Sequence, residues 1–155
     1  MRNLVIAFLG ITCLPALAGD PILPNSDLSP GVFDSTATLD KICQKGYSAT
    51  VRHVTDKQKD TVFEEYGLER SGNYEVDHLI SLELGGSNDT RNLWPQSYHG
   101  FWNARVKDAL ENRLHNLVCD GKMDLRDAQY RVSHDWIKTY CYVFNDDKCT
   151  GVNIE

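Results

Sequence analysis

The chain has 155 residues, of which 41% are hydrophobic and 25% charged, and its formal net charge is −6. A length of this order favours one domain with a modest core. The acidic balance argues against a protein that coats nucleic acid through a broad basic surface. It does not exclude a nuclease in which a divalent ion supplies local positive charge.

The N-terminus has the plan of a secretory signal peptide. Arg2 precedes a largely apolar run, residues 4–17, and an A-x-A pattern ends at Ala18. Because the run is too short to favour a membrane span, we expect residues 1–18 to be cleaved on export. The protein is therefore predicted to be secreted or periplasmic. The alternative interpretation is a buried N-terminal helix.

Export makes disulfides the expected state of the cysteines. Of five cysteines, Cys13 leaves with the signal, and the even number that remains allows three pairings. Cys141 and Cys149 flank a short polar segment and could close it as a loop, which would leave Cys43 with Cys119. A zinc site is the rival interpretation, but no C-x-x-C or C-x-x-H pair supports it.

The first third of the mature chain contains patterns typical of three different local structures. Residues 19–38 contain several prolines and are predicted to form a flexible N-terminal arm that precedes the domain of residues 39–155. Residues 39–54 favour a short strand or turn-strand element. The segment that begins at Thr55 has the form of a capping box, and Gly67 is a natural stop, so a helix of about three turns is predicted between them.

The rest of the chain predicts a small hairpin followed by two helices. Residues 74–96 contain two short β elements joined by a Gly-Gly loop. After Gly100, apolar residues recur at helical spacing, and Asp124 can cap a second helix beyond a Gly-containing turn. We expect an α+β fold in which the hairpin, with its flanking helices, packs on a C-terminal helical hairpin and disulfides stabilise the whole.

The hairpin region also contains the residues best suited to chemistry. His78 could act as a general base because imidazole titrates near physiological pH. Asp77 is a hard oxygen ligand suited to magnesium or manganese. Adjacent residues of a regular strand point to opposite faces, so a site shared by both requires a bend, a bulge or the strand end.

This region resembles the HNH family of ββα-metal nucleases. The segments DHLISLELGG and NLWPQ are similar to DHLIPLELGG and NLWPQ of small exported members, with Ser81 in place of the usual proline. Later KD-LE and V-C-x-G patterns extend the resemblance over residues 42–140. It implies a ββα-metal core in which His78 is the general base, Asp77 binds the metal, and Asn92 pins the loop and orients the histidine.

The resemblance further implies a metal ligand on the helix after the hairpin. Asn103 is favoured and His99 is the alternative, and the ion is expected to be Mg²⁺, with Mn²⁺ or another divalent ion as further candidates. Candidates for binding substrate phosphates are Arg52, Arg91 and Lys107. Asn88-Asp89-Thr90 has the form of an N-glycosylation acceptor.

The expected function is a metal-dependent endonuclease without sequence specificity. Its substrate would be nucleic acid, DNA rather than RNA, and no membrane partner is expected. The alternatives are a catalytically inactive HNH-like module that binds metal or nucleic acid, and a disulfide-stabilised interaction protein of the cell envelope. The sequence identifies neither an inhibitor or immunity protein nor an oligomeric state.

Overall fold

The structure is a computed structural model that describes residues 23–152, so the predicted signal peptide lies outside it. The described residues form an α+β fold with five α-helices and one two-stranded antiparallel sheet. None of these helices is long and apolar enough to cross a bilayer. The elements in chain order are α1 (Leu39–Ile42), α2 (Tyr47–Val51), α3 (Asp56–Glu65), β1 (Tyr74–His78), β2 (Leu93–Ser97), α4 (Ala104–Cys119) and α5 (Leu125–Phe144).

The hairpin has a regular register along its whole length. Pairing runs from Tyr74 opposite Ser97 to His78 opposite Leu93, with each intermediate residue paired in turn. Residues 79–92 connect the strands and contain two 3-10 turns. Ser81 caps the first turn, since its hydroxyl accepts a hydrogen bond from the Glu83 N–H at 3.2 Å. The predicted hairpin is therefore confirmed.

The Gly-Gly pair of the connection lies where no side chain fits. A Cβ on Gly86 would lie 1.7 Å from the carbonyl oxygen of Ile80, far inside van der Waals contact. Gly85 has a φ of +74°, a left-handed conformation that favours glycine, and its Cβ would lie 2.9 Å from that of Ala37. Both glycines are needed for the chain to fold back on itself here.

The segment predicted to be a flexible arm is docked on this connection. The N–H of Gly31 donates to the Arg91 carbonyl at 3.1 Å, and the Ser87 N–H donates to the Val32 carbonyl at 2.9 Å. Phe33 forms an isolated antiparallel bridge with Gly86. The described part of this segment thus supplies backbone partners to the connection between the two strands.

Residues 39–54 form two short helices in place of the predicted strand element. Helix α1 covers Leu39–Ile42, and α2 begins after Gly46, whose φ of 81° reverses the chain. Helix α3 confirms the capping box: the Thr55 hydroxyl accepts from the Gln58 N–H, and the Gln58 side chain accepts from the Thr55 N–H.

The C-terminal helical hairpin is confirmed. The Asp124 carboxylate accepts hydrogen bonds from the first N–H groups of α5, and α4 and α5 pack on each other and on the 3-10 turn Leu82–Leu84. Helix α5 is kinked at Asp135, where φ is −160° and ψ is 95°. Most of the buried apolar side chains form one cluster: Ile42, Leu79, Ile80, Leu84, Trp94, Leu110, Leu114, Val118, Ala128, Val132, Trp136, Ile137, Tyr140 and Cys141.

Two disulfides close the fold with the favoured pairing. Cys43 is bonded to Cys119 across a sequence separation of 76, and Cys141 to Cys149 across a separation of 8. The first disulfide joins the end of α1 to the end of α4. A closed loop of this length lowers the conformational entropy of the unfolded chain and so destabilises the unfolded state by roughly 4 kcal/mol. Disulfides of this kind indicate an oxidising, extracellular-type environment.

Replacing Gly86 by alanine tests the close approach of the connection to itself. We expect a loss of roughly 3 kcal/mol or more in the free energy of unfolding, because the Cβ and the Ile80 carbonyl cannot both keep their positions. Urea titration followed by circular dichroism measures this loss. Gly72→Ala is the matched control, since nothing lies within 4 Å of its added Cβ. Equal stability of the two variants would contradict the packing described.

Candidate active site

Asp77 and His78 end strand β1 and direct their side chains to opposite faces of the hairpin. The ladder continues without a bulge through both residues, which pair with Trp94 and Leu93. The Asp77 carboxylate contacts Lys107 of α4. The His78 imidazole contacts Asn88 in the connection. The acid and the imidazole are thus adjacent in sequence but face different surroundings.

The His78 ring is held by the side-chain amide of Asn88. His78 Nε2 lies 3.1 Å from Asn88 Oδ1. The same oxygen accepts a hydrogen bond from the backbone N–H of His53 at 3.1 Å, and Asn88 Nδ2 donates to the Val51 carbonyl at 2.8 Å. These contacts join the imidazole to the chain that leaves α2.

The contacts of Asn88 fix which ring nitrogen carries the proton. A backbone carbonyl only accepts and a backbone N–H only donates, so Val51 and His53 orient the amide of Asn88 with its oxygen towards His78. The oxygen cannot donate, and therefore His78 Nε2 must be the donor. In the neutral ring the lone pair is then on Nδ1.

The environment of His78 favours the neutral ring. The residue is only 2% exposed, and burial lowers the pKa of the imidazole below its ordinary value of 6.5. The charges of Arg52 and Lys107 also lower this pKa, while the hydrogen bond to Asn88 and the charge of Asp77 act in the opposite direction. An imidazole with a lowered pKa is a proton acceptor at neutral pH.

A cavity of about 480 Å³ lies beside this strand, between α3 and β1. Four side chains that carry or can acquire positive charge line it: Arg52, His53, Lys59 and Arg70. Arg70 is paired with two aspartates of α3, whereas the Arg52 guanidinium has no ion pair or hydrogen bond among the residues that the structure describes. Arg52 therefore has its donors available for a phosphate.

On the other face of the hairpin, Asp77 is part of a buried ion-pair cluster. Lys107 Nζ lies 2.6 Å from Asp77 Oδ2, donates to the His78 carbonyl at 2.8 Å, and forms a further ion pair with Glu111. The Lys107 side chain is 1% exposed and the two acidic side chains are 13% exposed. In the sequence, Lys107 is a candidate for binding substrate phosphates. In the structure its ammonium group is buried against these acceptors and does not face a substrate.

The Asn92 side-chain amide forms hydrogen bonds with backbone groups on both sides of the connection. Its Oδ1 accepts from the Ile80 N–H at 2.9 Å and the Val32 N–H at 3.3 Å. Its Nδ2 donates to the carbonyls of Ile80 and Ser87, both at 2.9 Å. The contact with the His78 ring is made by Asn88 instead.

Each of the three side chains that the resemblance implies as metal ligands contacts another group in the structure. Asn103 Oδ1 caps α4 by accepting from the N–H groups of Arg105 and Val106, and His99 Nε2 contacts Asn73 Oδ1 at 3.2 Å. Asp77 Oδ2 is occupied by the Lys107 ammonium. The residues present therefore do not fit a divalent ion at Asp77.

Arg91 is also committed to a neighbour. Its guanidinium makes two hydrogen bonds to Asp89, from Nε at 3.0 Å and from a terminal nitrogen at 2.9 Å. The Arg91 guanidinium is exposed, and the Asp89 carboxylate neutralises its charge. Of the three basic residues predicted to bind substrate, Arg52 is the one left without an acidic partner in residues 23–152.

A different group has the composition of a metal site. Within residues 23–152, only one group of three His, Cys, Asp or Glu side chains has its potential ligand atoms within 4.8 Å of one another. The group consists of Cys43, His115 and Cys119. His115 Nε2 lies 3.5 Å from Cys119 Sγ. Because the two sulfurs are joined in a disulfide, neither is a thiolate that could bind a metal in this state.

Two residues of the site were missed in the sequence. Asn88 belongs to a glycosylation-acceptor pattern in the sequence, and in the structure its amide nitrogen donates to the Val51 carbonyl. Glu111 follows Lys107 at the i,i+4 spacing that brings side chains together on a helix, and that spacing is a signal that could have indicated the pair. No local pattern links Asn88 to Val51, which lies 37 residues earlier.

Comparison of the chain with protein-family models, with curated proteins and with solved structures finds no match. The function must therefore be inferred from the geometry of the site.

The lowered pKa of His78 predicts a pH-dependent stability. At pH values between 6.5 and the lower pKa of the folded state, His78 binds a proton in the unfolded chain but not in the folded chain. The contribution of His78 to the free energy of unfolding is therefore fully present above pH 6.5 and is lost as the pH falls. In His78→Gln, which can still donate to Asn88, we expect a smaller fall in Tm on acidification from pH 7 to about pH 5. Calorimetric scans of both proteins measure the difference, and parallel curves would contradict the assignment.

Proposed function

We propose that this protein is an exported nuclease that hydrolyses phosphodiester bonds of nucleic acid, with His78 as its general base. The observation that carries the proposal is the state of the His78 ring. Its Nε2 proton is held by Asn88, and its Nδ1 keeps the lone pair that a base needs. The resemblance of residues 74–96 to HNH nucleases supports the same assignment.

In the proposed reaction, His78 Nδ1 takes a proton from a water molecule. The water oxygen forms a bond with phosphorus, the bond from phosphorus to O3′ breaks, and solvent supplies a proton to the leaving oxygen. The family resemblance implies these products, a 5′-phosphate and a 3′-hydroxyl. The imidazolium formed would be stabilised by the charge of Asp77 and by the hydrogen bond to Asn88, both of which favour the protonated ring.

Arg52 is proposed to bind the phosphate that is cleaved. It lines the cavity beside β1 and is close enough to lower the pKa of His78 by its charge. A guanidinium can give two parallel hydrogen bonds to phosphate oxygens and so position the phosphorus. The net charge of −6 implies that the rest of the surface adds little attraction, so binding should be weak and depend on salt.

A second candidate function is a nucleic-acid-binding module that does not cut. The observation in its favour is the low exposure of His78, 2%, which limits the approach of a water and a phosphate to the ring. The same Arg52 and the same cavity would then serve binding alone. DNA is proposed as the ligand ahead of RNA in both cases.

A nuclease assay with matched histidine variants tests the choice. Oxidised protein lacking residues 1–18 is incubated with supercoiled plasmid and with single-stranded RNA. We expect His78→Ala to reduce the cleavage rate by roughly 10²-fold or more and Asn88→Ala by about 10-fold. His134→Ala, at an exposed position on α5, is the control and should leave the rate unchanged.

The outcomes separate the two functions. Cleavage that survives in His78→Ala would contradict the mechanism. Binding of a labelled oligonucleotide without cleavage of either substrate would favour the binding module.

Arg52→Gln tests the phosphate contact independently of cleavage. We expect weaker binding of an oligonucleotide and a salt dependence of log K that is less steep by about one unit, because one phosphate contact is lost. Fluorescence anisotropy at several salt concentrations measures both quantities. Arg91→Gln is the control, since Asp89 already balances that charge. An equal effect of the two substitutions would contradict a specific role for Arg52.

A further inference from the structure

Lys107 is bonded in the way that a coordinated cation would be. Its ammonium group has three N–H donors and meets three oxygen acceptors: Asp77 Oδ2, the His78 carbonyl oxygen and Glu111 Oε1. The side chain is 1% exposed, so these oxygens replace its hydration shell. No donor of Lys107 is left for a substrate.

The same oxygens are those that a divalent ion would use. Carboxylates and a backbone carbonyl are hard donors of the kind preferred by Mg²⁺ and Ca²⁺, which bind oxygen at about 2.0–2.6 Å. The Lys107 nitrogen already lies 2.6 Å from Asp77 Oδ2. An ion bound to that oxygen between the two carboxylates would overlap with the ammonium and repel it, so the two cations exclude each other.

The cluster places one ammonium group between two carboxylates. Lys107 Nζ forms ion pairs with Asp77 and Glu111, whose side chains are each 13% exposed, and donates a third hydrogen bond to the His78 carbonyl. The cation and its two acidic partners are therefore largely removed from solvent.

We propose that Lys107 is the cation of this cluster and that it excludes a divalent ion from Asp77. The proposal concerns the site of the proposed nuclease, but it is a statement about binding and holds or fails whether or not the protein cuts nucleic acid. It departs from the metal-dependent mechanism implied by the resemblance to HNH nucleases.

The first experiment measures Mn²⁺ binding to the wild-type protein. Electron paramagnetic resonance of added Mn²⁺ reports the free ion, and Tm is recorded with Mn²⁺, with Mg²⁺ and with EDTA. We expect that any loss of the free-ion signal is the same in the wild type and in Asp77→Asn, and that Tm does not respond to EDTA. Binding that requires Asp77 would overturn the proposal.

The second experiment removes the internal cation. Lys107→Ala leaves the oxygens of Asp77, Glu111 and the His78 carbonyl around an empty volume, so this variant should gain a saturable Mn²⁺ site. Its Tm should rise by about 3 °C on adding Mn²⁺. The control, Asp77→Asn with Lys107→Ala, should lose both effects. A Lys107→Ala protein that folds without Mn²⁺ and gains no site would overturn the proposal.

The loss of Lys107 leaves two largely buried carboxylates without this partner and could prevent folding. A measurement on the wild type then decides. A buried ammonium with three acceptors should give a ¹H–¹⁵Nζ NMR signal that is protected from exchange with water. The wild-type protein is then titrated with Mg²⁺, which is diamagnetic, and the chemical shift of this signal should not change. Displacement of the signal by Mg²⁺ would overturn the proposal.

Cleavage assays with EDTA and with added Mg²⁺ separate this inference from the proposed function. If cleavage requires His78 and also requires Mg²⁺ held by Asp77, the function stands and the inference fails. If Lys107 excludes the ion and no cleavage occurs, the inference stands and the function fails.

Discussion

The buried side-chain amide of Asn92 is the contact on which the arrangement of the site depends. Its two donors and two acceptor positions are all used, by the backbone of Ile80, Ser87 and Val32. The Asn92 carbonyl also accepts from the Leu79 N–H, which extends the pairing beyond β1. Without these bonds the backbone groups that Asn92 contacts would be unpaired, at a cost of roughly 1–3 kcal/mol for each buried group. This amide therefore holds the loop that presents Asn88 to His78.

A regular strand then divides the chemistry between two faces. Because β1 has no bulge, Asp77 is directed to α4 and His78 to the connection and to the end of α2. The proposed base and the buried acid thus have separate partners: Asn88 holds the imidazole, and Lys107 neutralises the carboxylate. Removing one partner of a buried charge pair of this kind costs about 3–5 kcal/mol of folding free energy. The pair of Asp77 and Lys107 therefore also stabilises the packing of β1 on α4.

Features that depend on residues close in sequence could be predicted. The capping box at Thr55, the Asp124 cap, the helical stripes of α4 and α5 and the hairpin follow from local hydrogen bonds and hydrophobic period, and each is confirmed. The pairing of Cys141 with Cys149 was accessible because a short loop joins them. The prediction failed at residues 39–54, where two helices of four and five residues are too short to display a period. The contacts of the segment before residue 39 had no local signal either, because several of its backbone partners are distant in the chain.

The sequence by itself determined the α+β class, the set of cysteines available for disulfides and the segment in which the candidate site lies. Only the tertiary structure decided which atoms meet. Strand alternation separates Asp77 from His78, and the contacts of Asn88 with Val51 and of Lys107 with Asp77 span 37 and 30 residues. Such pairs leave no local signal, because their distance is set by packing of whole elements and not by helix or strand period. The contact of Asp77 with Lys107, one helical turn beyond the predicted ligand Asn103, depends on this packing.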